Sequence, residues 1–357
     1  MGRIDFAATA LAVSLAATLV GDCSPTEPPP AVTETRHETA ADAIVLVTID
    51  GVRWQEIFDG VDPRLAADAK MPPVPDRSAR ALLPNMHRLF FEEGTVVGDP
   101  RRAGGIEGSA RRHMSMPGYV EISTGASTEC VDNDCMPVLG ETLADAVTAS
   151  PGGSAAVFGS WSEIARAAAA RPERLFVQAG HAPGQTGRPL GGGTTYLHDQ
   201  VTAEQALDHL RTRKPRFLWV ALGDTDEWAH AGDYRGYVEA LRAADRFLDD
   251  LVATLGRMGE RGARTAIFVT ADHGRDPGFN HHGGPESARV WLLARGPSIA
   301  PRGLIGTTRA HALRDLAPTL RAHLGLPARA CPTCGEPIEE LLPERSDTRA
   351  ASLTTAR

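Results

Sequence analysis

The sequence predicts an α/β domain with a mostly parallel central sheet and helices on both faces. Three observations carry that expectation. Continuous apolar runs of strand length recur along the chain, helical stretches fall between them, and three of the runs end in an acid. An unbroken apolar run suits a strand covered on both sides. Strand–helix alternation implies right-handed crossovers, which keep neighbouring strands parallel.

The chain has 357 residues. Residues 1–22 resemble a signal peptide: Arg3 supplies the positive charge, and Ala7 to Val20 are apolar but too short to span a bilayer comfortably. Cys23 follows, and residues 23–41, rich in Pro, Thr and Glu, read as a flexible tether. A cysteine at that place resembles a lipid-anchor signal, although Asp22 stands where a small residue is expected. Ordinary signal cleavage and a retained anchor are the other readings. The expected location is therefore outside the cytoplasm, in the periplasm or at the cell surface, with contact to a membrane only through an anchor at Cys23.

Residues 42–345 are expected to form a single catalytic domain, large but routine for one sheet, and residues 346–357 a disordered tail. The first strand is Ala43 to Ile49. Later strands are expected at Ala155 to Phe158, Arg174 to Val177, Arg216 to Leu222, Thr265 to Thr270 and Val290 to Ala294. Helices are expected at Trp161 to Ala170, Thr202 to Arg213, Tyr234 to Leu255 and His311 to Leu324. Arg101 to Gly108 and Gly180 to Gly193 read as surface loops, and residues 59–110 as an irregular excursion beside the site. Hydrophobic residues make up 42% and charged residues 23%, so a sizeable core is available. The net charge is −8 with no long Lys/Arg block, which argues against a nucleic-acid surface. Four cysteines remain beyond Cys23, and four allow three pairings. Local pairs Cys130–Cys135 and Cys331–Cys334 are the simplest in an exported protein, with a four-cysteine zinc site as the competitor.

Chemistry gathers where strands end in acids. The first strand runs into Asp50-Gly51, the run from Phe217 into Gly223-Asp224-Thr225-Asp226, and the run from Ala266 into Ala271-Asp272-His273-Gly274. Ligands of open α/β sheets bind beyond the carboxyl ends of the strands, so three such acids converge on one rim. A single Asp there is as readily a helix or turn cap. Asp226 and His230 are four apart and face the same way on a helix. His281 and His282 follow in a glycine-rich loop. A mixed Asp/His set suits Zn²⁺, and the count is too large for one tetrahedral ion and about right for two.

Thr48-Ile49-Asp50-Gly51-Val52-Arg53, Ser115-Met116-Pro117-Gly118-Tyr119, Asp226-Glu227-Trp228-Ala229-His230 and Ala271-Asp272-His273-Gly274, with Asp315-Leu316-Ala317-Pro318-Thr319-Leu320 later, resemble the alkaline phosphatase superfamily. The nearest branch is that of the nucleotide pyrophosphatase/phosphodiesterase-like enzymes, and the resemblance covers roughly residues 43–327. It implies two divalent ions, zinc by ligand type. Asp50, Asp272 and His273 would hold the ion that activates Ser115, itself a ligand; Asp226, His230 and His282 would hold the other. His282 is preferred to His281 because it precedes glycine. The resemblance implies hydrolysis of a small phosphate ester, monoester or diester, through a covalent phosphoseryl intermediate. Ser123 and Thr124 are fallback nucleophiles. Ser115 is otherwise a plain helix cap, and Arg53 and Arg275 are either phosphoryl-binding residues or structural ion-pair partners. The rival readings are a sulfatase, whose signature continues with Arg where this chain has Tyr119, an isomerase of the phosphoglycerate mutase type, and a non-catalytic metal-binding surface lipoprotein.

Overall fold

Ala43–Ile49 form β1, and all seven residues are buried. Successive side chains of a strand point to opposite faces, so burial of the whole run means that the sheet is covered on both sides. The computed structural model describes residues 41–191 and 193–342. The expected signal peptide with Cys23, the rest of the tether up to residue 40, and the expected tail at 346–357 lie outside the described residues. Among the described residues, no helix is long and apolar enough to cross a membrane.

The remaining strands of the main sheet are β2 (Thr95–Val97), β3 (Ala155–Gly159), β4 (Phe176–Ala179), β5 (Phe217–Leu222), β6 (Thr265–Thr270), β7 (Leu292–Arg295) and β8 (Gly303–Leu304). Their order across the sheet is β8-β2-β7-β6-β1-β5-β3-β4. β1 pairs parallel with both β5 and β6, and the parallel run continues through β3 to β4. Only β7 is antiparallel to its two neighbours, β6 and β2. The expected mostly parallel α/β sheet is the observed one. β1, β5 and β6 lie side by side at its centre, so their carboxyl ends form one rim.

Five helices matter for that rim: α1 (Ser115–Thr124), α2 (Asp199–Arg213), α3 (Asp224–His230), α4 (Tyr234–Arg257) and α5 (Leu316–His323). α4 buries Tyr234, Tyr237, Val238, Leu241, Ala244, Leu248 and Leu251 along one face, which is why a long amphipathic period was legible there. Its start is capped by the Asp233 carboxylate, which accepts from the Gly236 N–H at 2.9 Å.

Several boundaries differ from expectation. The run Val290 to Ala294 is not one strand: Arg289–Val290 pairs with Ile106–Glu107 in a separate small sheet, and β7 begins at Leu292. Trp291 lies between the two, fully buried, and its indole N–H donates to the Val52 carbonyl at 3.1 Å. The helix expected from Trp161 to Ala170 spans only Ile164–Ala168, and the one expected from His311 begins at Leu316 after a short strand His311–Ala312. Helix α2 starts three residues earlier than expected, at Asp199. The loop expected at Gly180 to Gly193 carries strands His181–Ala182, Gln185–Thr186 and Arg188–Gly191; the first two pair with each other and the third pairs with Thr194–Tyr196. The cysteines form the two local disulfides, Cys130–Cys135 and Cys331–Cys334, which removes the four-cysteine zinc reading.

Candidate metal centre and nucleophile

Each strand end delivers its acid for a local reason. After β1 the chain turns at Asp50-Gly51, where Gly51 takes φ +63°, a conformation a side chain would strain. The Asp50 carbonyl is fixed by the Thr225 hydroxyl, which donates to it at 2.6 Å. After β5, Gly223 opens α3, and its Asp226 and His230 lie one turn apart with Oδ2 and Nε2 3.2 Å from each other. After β6, Asp272 accepts the Gly51 N–H at 3.1 Å, which ties two of the acid-bearing turns together.

Ser115 is the first residue of α1 and not its cap. Its Oγ lies 3.5 Å from Asp50 Oδ1 and 3.3 Å from His273 Nε2. The helix comes this close because residue 118 is glycine: a Cβ there would stand 2.2 Å from the Asp272 carbonyl oxygen. Ser123 and Thr124, the fallback nucleophiles, sit at the far end of α1 and return their hydroxyls to the Val120 carbonyl at 3.2 and 2.7 Å.

Donor atoms of Asp50, Asp272 and His273 lie within 4.8 Å of one another, and so do those of Asp226, His273 and His282. His230 adjoins the second group, its Nε2 3.0 Å from His282 Nε2. The ring of His282 lies tilted by 33° against that of His273, with centroids 4.2 Å apart. His281 is exposed and lies outside both groups, whereas His282 belongs to the second. All seven expected residues thus meet at one rim.

The sequence pattern described as the Metalloenzyme superfamily matches residues 191–328. A phosphopentomutase from Chelativorans sp. (strain BNC1) is 37% identical over 103 residues, covering 28% of this chain and 22% of that protein. A 2,3-bisphosphoglycerate-independent phosphoglycerate mutase from Halobacterium salinarum is 33% identical over 130 residues, covering 35% and 24%. The matched stretch is thus less than a quarter of the length of either relative. Among solved structures, the phosphonate monoester hydrolase SpPMH from Silicibacter pomeroyi superposes with a TM-score of 0.57 at 15% identity, over 86% of this chain and 78% of that one. The 2-O GAG sulfatase BT1596 gives 0.56 at 14% identity, over 81% and 72%.

Residues 191–328 thus match the Metalloenzyme superfamily, and the fold is similar to that of a phosphonate monoester hydrolase and a sulfatase. The relatives matched in sequence are mutases, and the structures of similar fold include a phosphonate monoester hydrolase.

The electrostatics of the rim suit the divalent-ion binding of the superfamily. Burial and the neighbouring Asp50 push the Asp272 carboxyl well above the ordinary range. Burial would lower His273, but Asp272 and Asp50 outweigh it and raise its pKa to about 9. Burial and the His273 charge drive His282 down to about 3. Asp272 Oδ2 and His282 Nδ1 are buried without a hydrogen-bond partner. His273 Nδ1 faces the Gly274 carbonyl at 2.7 Å, which leaves Nε2 to point at the carboxylates, the orientation of a histidine ligand. Crowded carboxylates, orphaned donors and oriented imidazoles together fit divalent cations.

Some residues of the site carried no legible signal. Tyr119, read only as part of a motif, donates to Asp50 Oδ2 at 2.8 Å. Asn133, inside the Cys130–Cys135 loop, accepts the Met116 N–H at 3.1 Å, a free donor at the start of α1. It also lines the cavity of about 210 Å³ in front of Ser115, with Trp161, Leu190, Tyr196 and His230. A lone Asn carries no pattern; the cysteines five apart, bracketing a tight loop, were the available clue. Arg53 and Arg275 both prove to be buried ion-pair partners, of Glu56 and Asp226 respectively, and neither lines the cavity.

Proposed function

We propose that this chain is an exported hydrolase of small phosphate esters that uses two divalent ions, zinc by ligand type, and Ser115 as nucleophile. The observation that carries the reading is the position of the Ser115 hydroxyl, within 3.5 Å of Asp50 and His273, two members of one candidate ligand group. Asp50, Asp272 and His273 would hold one ion and Asp226, His230 and His282 the other. When bound, such ions lower the pKa of a coordinated hydroxyl and offset charge on phosphoryl oxygens.

The chain's own groups do the rest. Ser115 Oγ attacks phosphorus, the Oγ–P bond forms, and the ester oxygen leaves with its electron pair. Water then attacks phosphorus, the Oγ–P bond breaks, and a proton from the water restores the Ser115 hydroxyl. Phosphate leaves if the substrate was a monoester, or a phosphate monoester if it was a diester. Tyr119 and the Thr225 hydroxyl hold Asp50 in place. Asn133 has its Oδ1 engaged by Met116 N–H, which leaves its amide N–H groups for a non-bridging oxygen. Trp161, Leu190 and Tyr196 form an apolar wall for the leaving group. The two disulfides suit an oxidising compartment and support export.

A sulfatase is the second reading, favoured by the fold of neighbours such as the 2-O GAG sulfatase BT1596. Against it, the position that holds Arg in the sulfatase signature is Tyr119, whose hydroxyl is committed to Asp50. The p-nitrophenyl phosphate monoester, diester and sulfate, offered in parallel with Zn²⁺, test the assignment. Turnover of a phosphate substrate is expected. Preference for the sulfate moves the assignment to the sulfatase, and no turnover by protein carrying its metal favours the binding lipoprotein.

A further inference from the structure

Arg275 is the largest charged side chain that is fully buried, and it stands behind the rim rather than in the cavity. Its Nη1 donates to Asp226 Oδ1, and its Nε donates to the Phe279 carbonyl. The space it fills exists because residue 51 is glycine: a Cβ there would lie 2.5 Å from Arg275 Nη1 and 2.6 Å from Asp226 Oδ1. An arginine in this slot cannot swing to a substrate.

Phe279 is the other half of the arrangement. It adopts φ 73°, a conformation uncommon for a bulky residue, and is buried. Its ring stands edge-on to Tyr234 and Tyr237, with centroids 5.2 and 5.1 Å away, and the Arg53 guanidinium lies 5.8 Å from it. Three residues on, His282 faces His230. The loop between is closed by Asp276, whose carboxylate accepts from Gly284 N–H at 3.1 Å and from the Ser287 hydroxyl at 2.7 Å. Arg275 is thus bonded at once to a ligand of the second candidate ion and to the root of the loop that supplies another.

We infer that Arg275 is a positioning residue that builds the second ion site, fixing Asp226 by one arm and the His282 loop by the other. By occupying Asp226 Oδ1 it turns Oδ2 toward His230, which makes Asp226 a one-oxygen ligand. The arms are the reason for arginine: a lysine keeps the charge but cannot hold a carboxylate and a carbonyl in one rigid plane. Ser115, Asp50 and Asp272 have no hydrogen bond to Arg275, so the first ion site is left to its own contacts.

This inference rests on the two-ion reading, and the test separates the two. Metal-free protein is titrated with Zn²⁺ against a chromophoric chelator, for wild type, R275K, R275M, D226N and the D226N/R275M double variant. Wild type is expected to take up two ions. R275K and R275M should keep first-site affinity and lose roughly ten- to a hundredfold at the second, the usual cost of removing a group that orients a ligand. In the double variant, the loss from R275M should largely vanish once Asp226 can no longer be oriented. If R275M does not fold by circular dichroism, R275K decides. Unchanged second-site affinity in R275K, or an equal loss at both sites, overturns the inference while the two-ion reading stands. A wild-type protein that takes up fewer than two ions overturns both.

Discussion

The two candidate ligand groups are built differently although they share a rim. Asp50, Asp272 and His273 come from the ends of adjacent central strands, and all are buried at 5% exposure or less. Asp226, His230 and His282 come from a short helix and a loop, and the His230 side chain is 45% exposed. Strand ends inherit their positions from the sheet, whereas the helix and loop depend on side-chain ties such as Arg275 to hold theirs. An enclosed ion exchanges slowly and is held by rigid donors, while an ion at an open edge is the one that meets solvent, substrate and chelator first.

Four measurements would break or sharpen this contrast. The largest effect is expected from Ser115→Ala, which should cost about 10³-fold or more in kcat while leaving two ions bound; an unchanged rate would move the nucleophile elsewhere. Next is a ligand swap. Asp272→Asn should abolish tight binding at the enclosed site, yet raise the melting temperature of the metal-free protein, because it removes one of the crowded carboxylates. His230→Ala should weaken only the open site, by about a hundredfold, and leave metal-free stability nearly unchanged. Equal behaviour of the two variants would erase the distinction. Third, Asn133→Ala should lower kcat by about a hundredfold at most with both ions retained, since it removes one donor to a phosphoryl oxygen and no ligand.

The last effect lies away from the rim, leaves metal binding and turnover untouched, and serves as a baseline. Burial lowers the pKa of His323 from 6.5 to about 4; its ring bonds Ser298 Oγ at 2.7 Å and the Leu341 carbonyl at 2.9 Å. The folded protein keeps this ring neutral, while the unfolded chain takes up a proton below 6.5. Its stability contribution is therefore present above 6.5 and lost as pH falls toward 4, by roughly 3 kcal/mol. Thermal melts of metal-free protein between pH 7 and 4 should show the decline, and His323→Gln should flatten that part of the profile.

The strand-end acids were legible because a parallel sheet converts a one-dimensional pattern, an apolar run ending in Asp, into a shared edge. Asp226 and His230 were legible because four residues make one helical turn. Arg275 was visible as a charge beside a motif, but its bond to Asp226 spans 49 positions and depends on the missing Cβ of Gly51. Asn133 meets α1 from within the loop that the Cys130–Cys135 disulfide closes, a contact no local pattern announces. Trp291 interrupts an apolar run that periodicity alone reads as one strand, since nothing local announces its bond to Val52. The hairpins within residues 181–196 are too short for their alternation to rise above a glycine-rich background.

The far end of α1 carries one more lesson. Arg329 donates to the Thr124 carbonyl from 205 positions downstream, Ser127 donates to the Thr333 carbonyl, and Gly335 donates to that of Gly125, beside the Cys331–Cys334 loop. The helix that bears Ser115 therefore gains its last supports only after nearly the whole domain has been synthesised. A chain emerging from a ribosome would hold the Ser115 hydroxyl on an unbraced helix until the closing segment arrives.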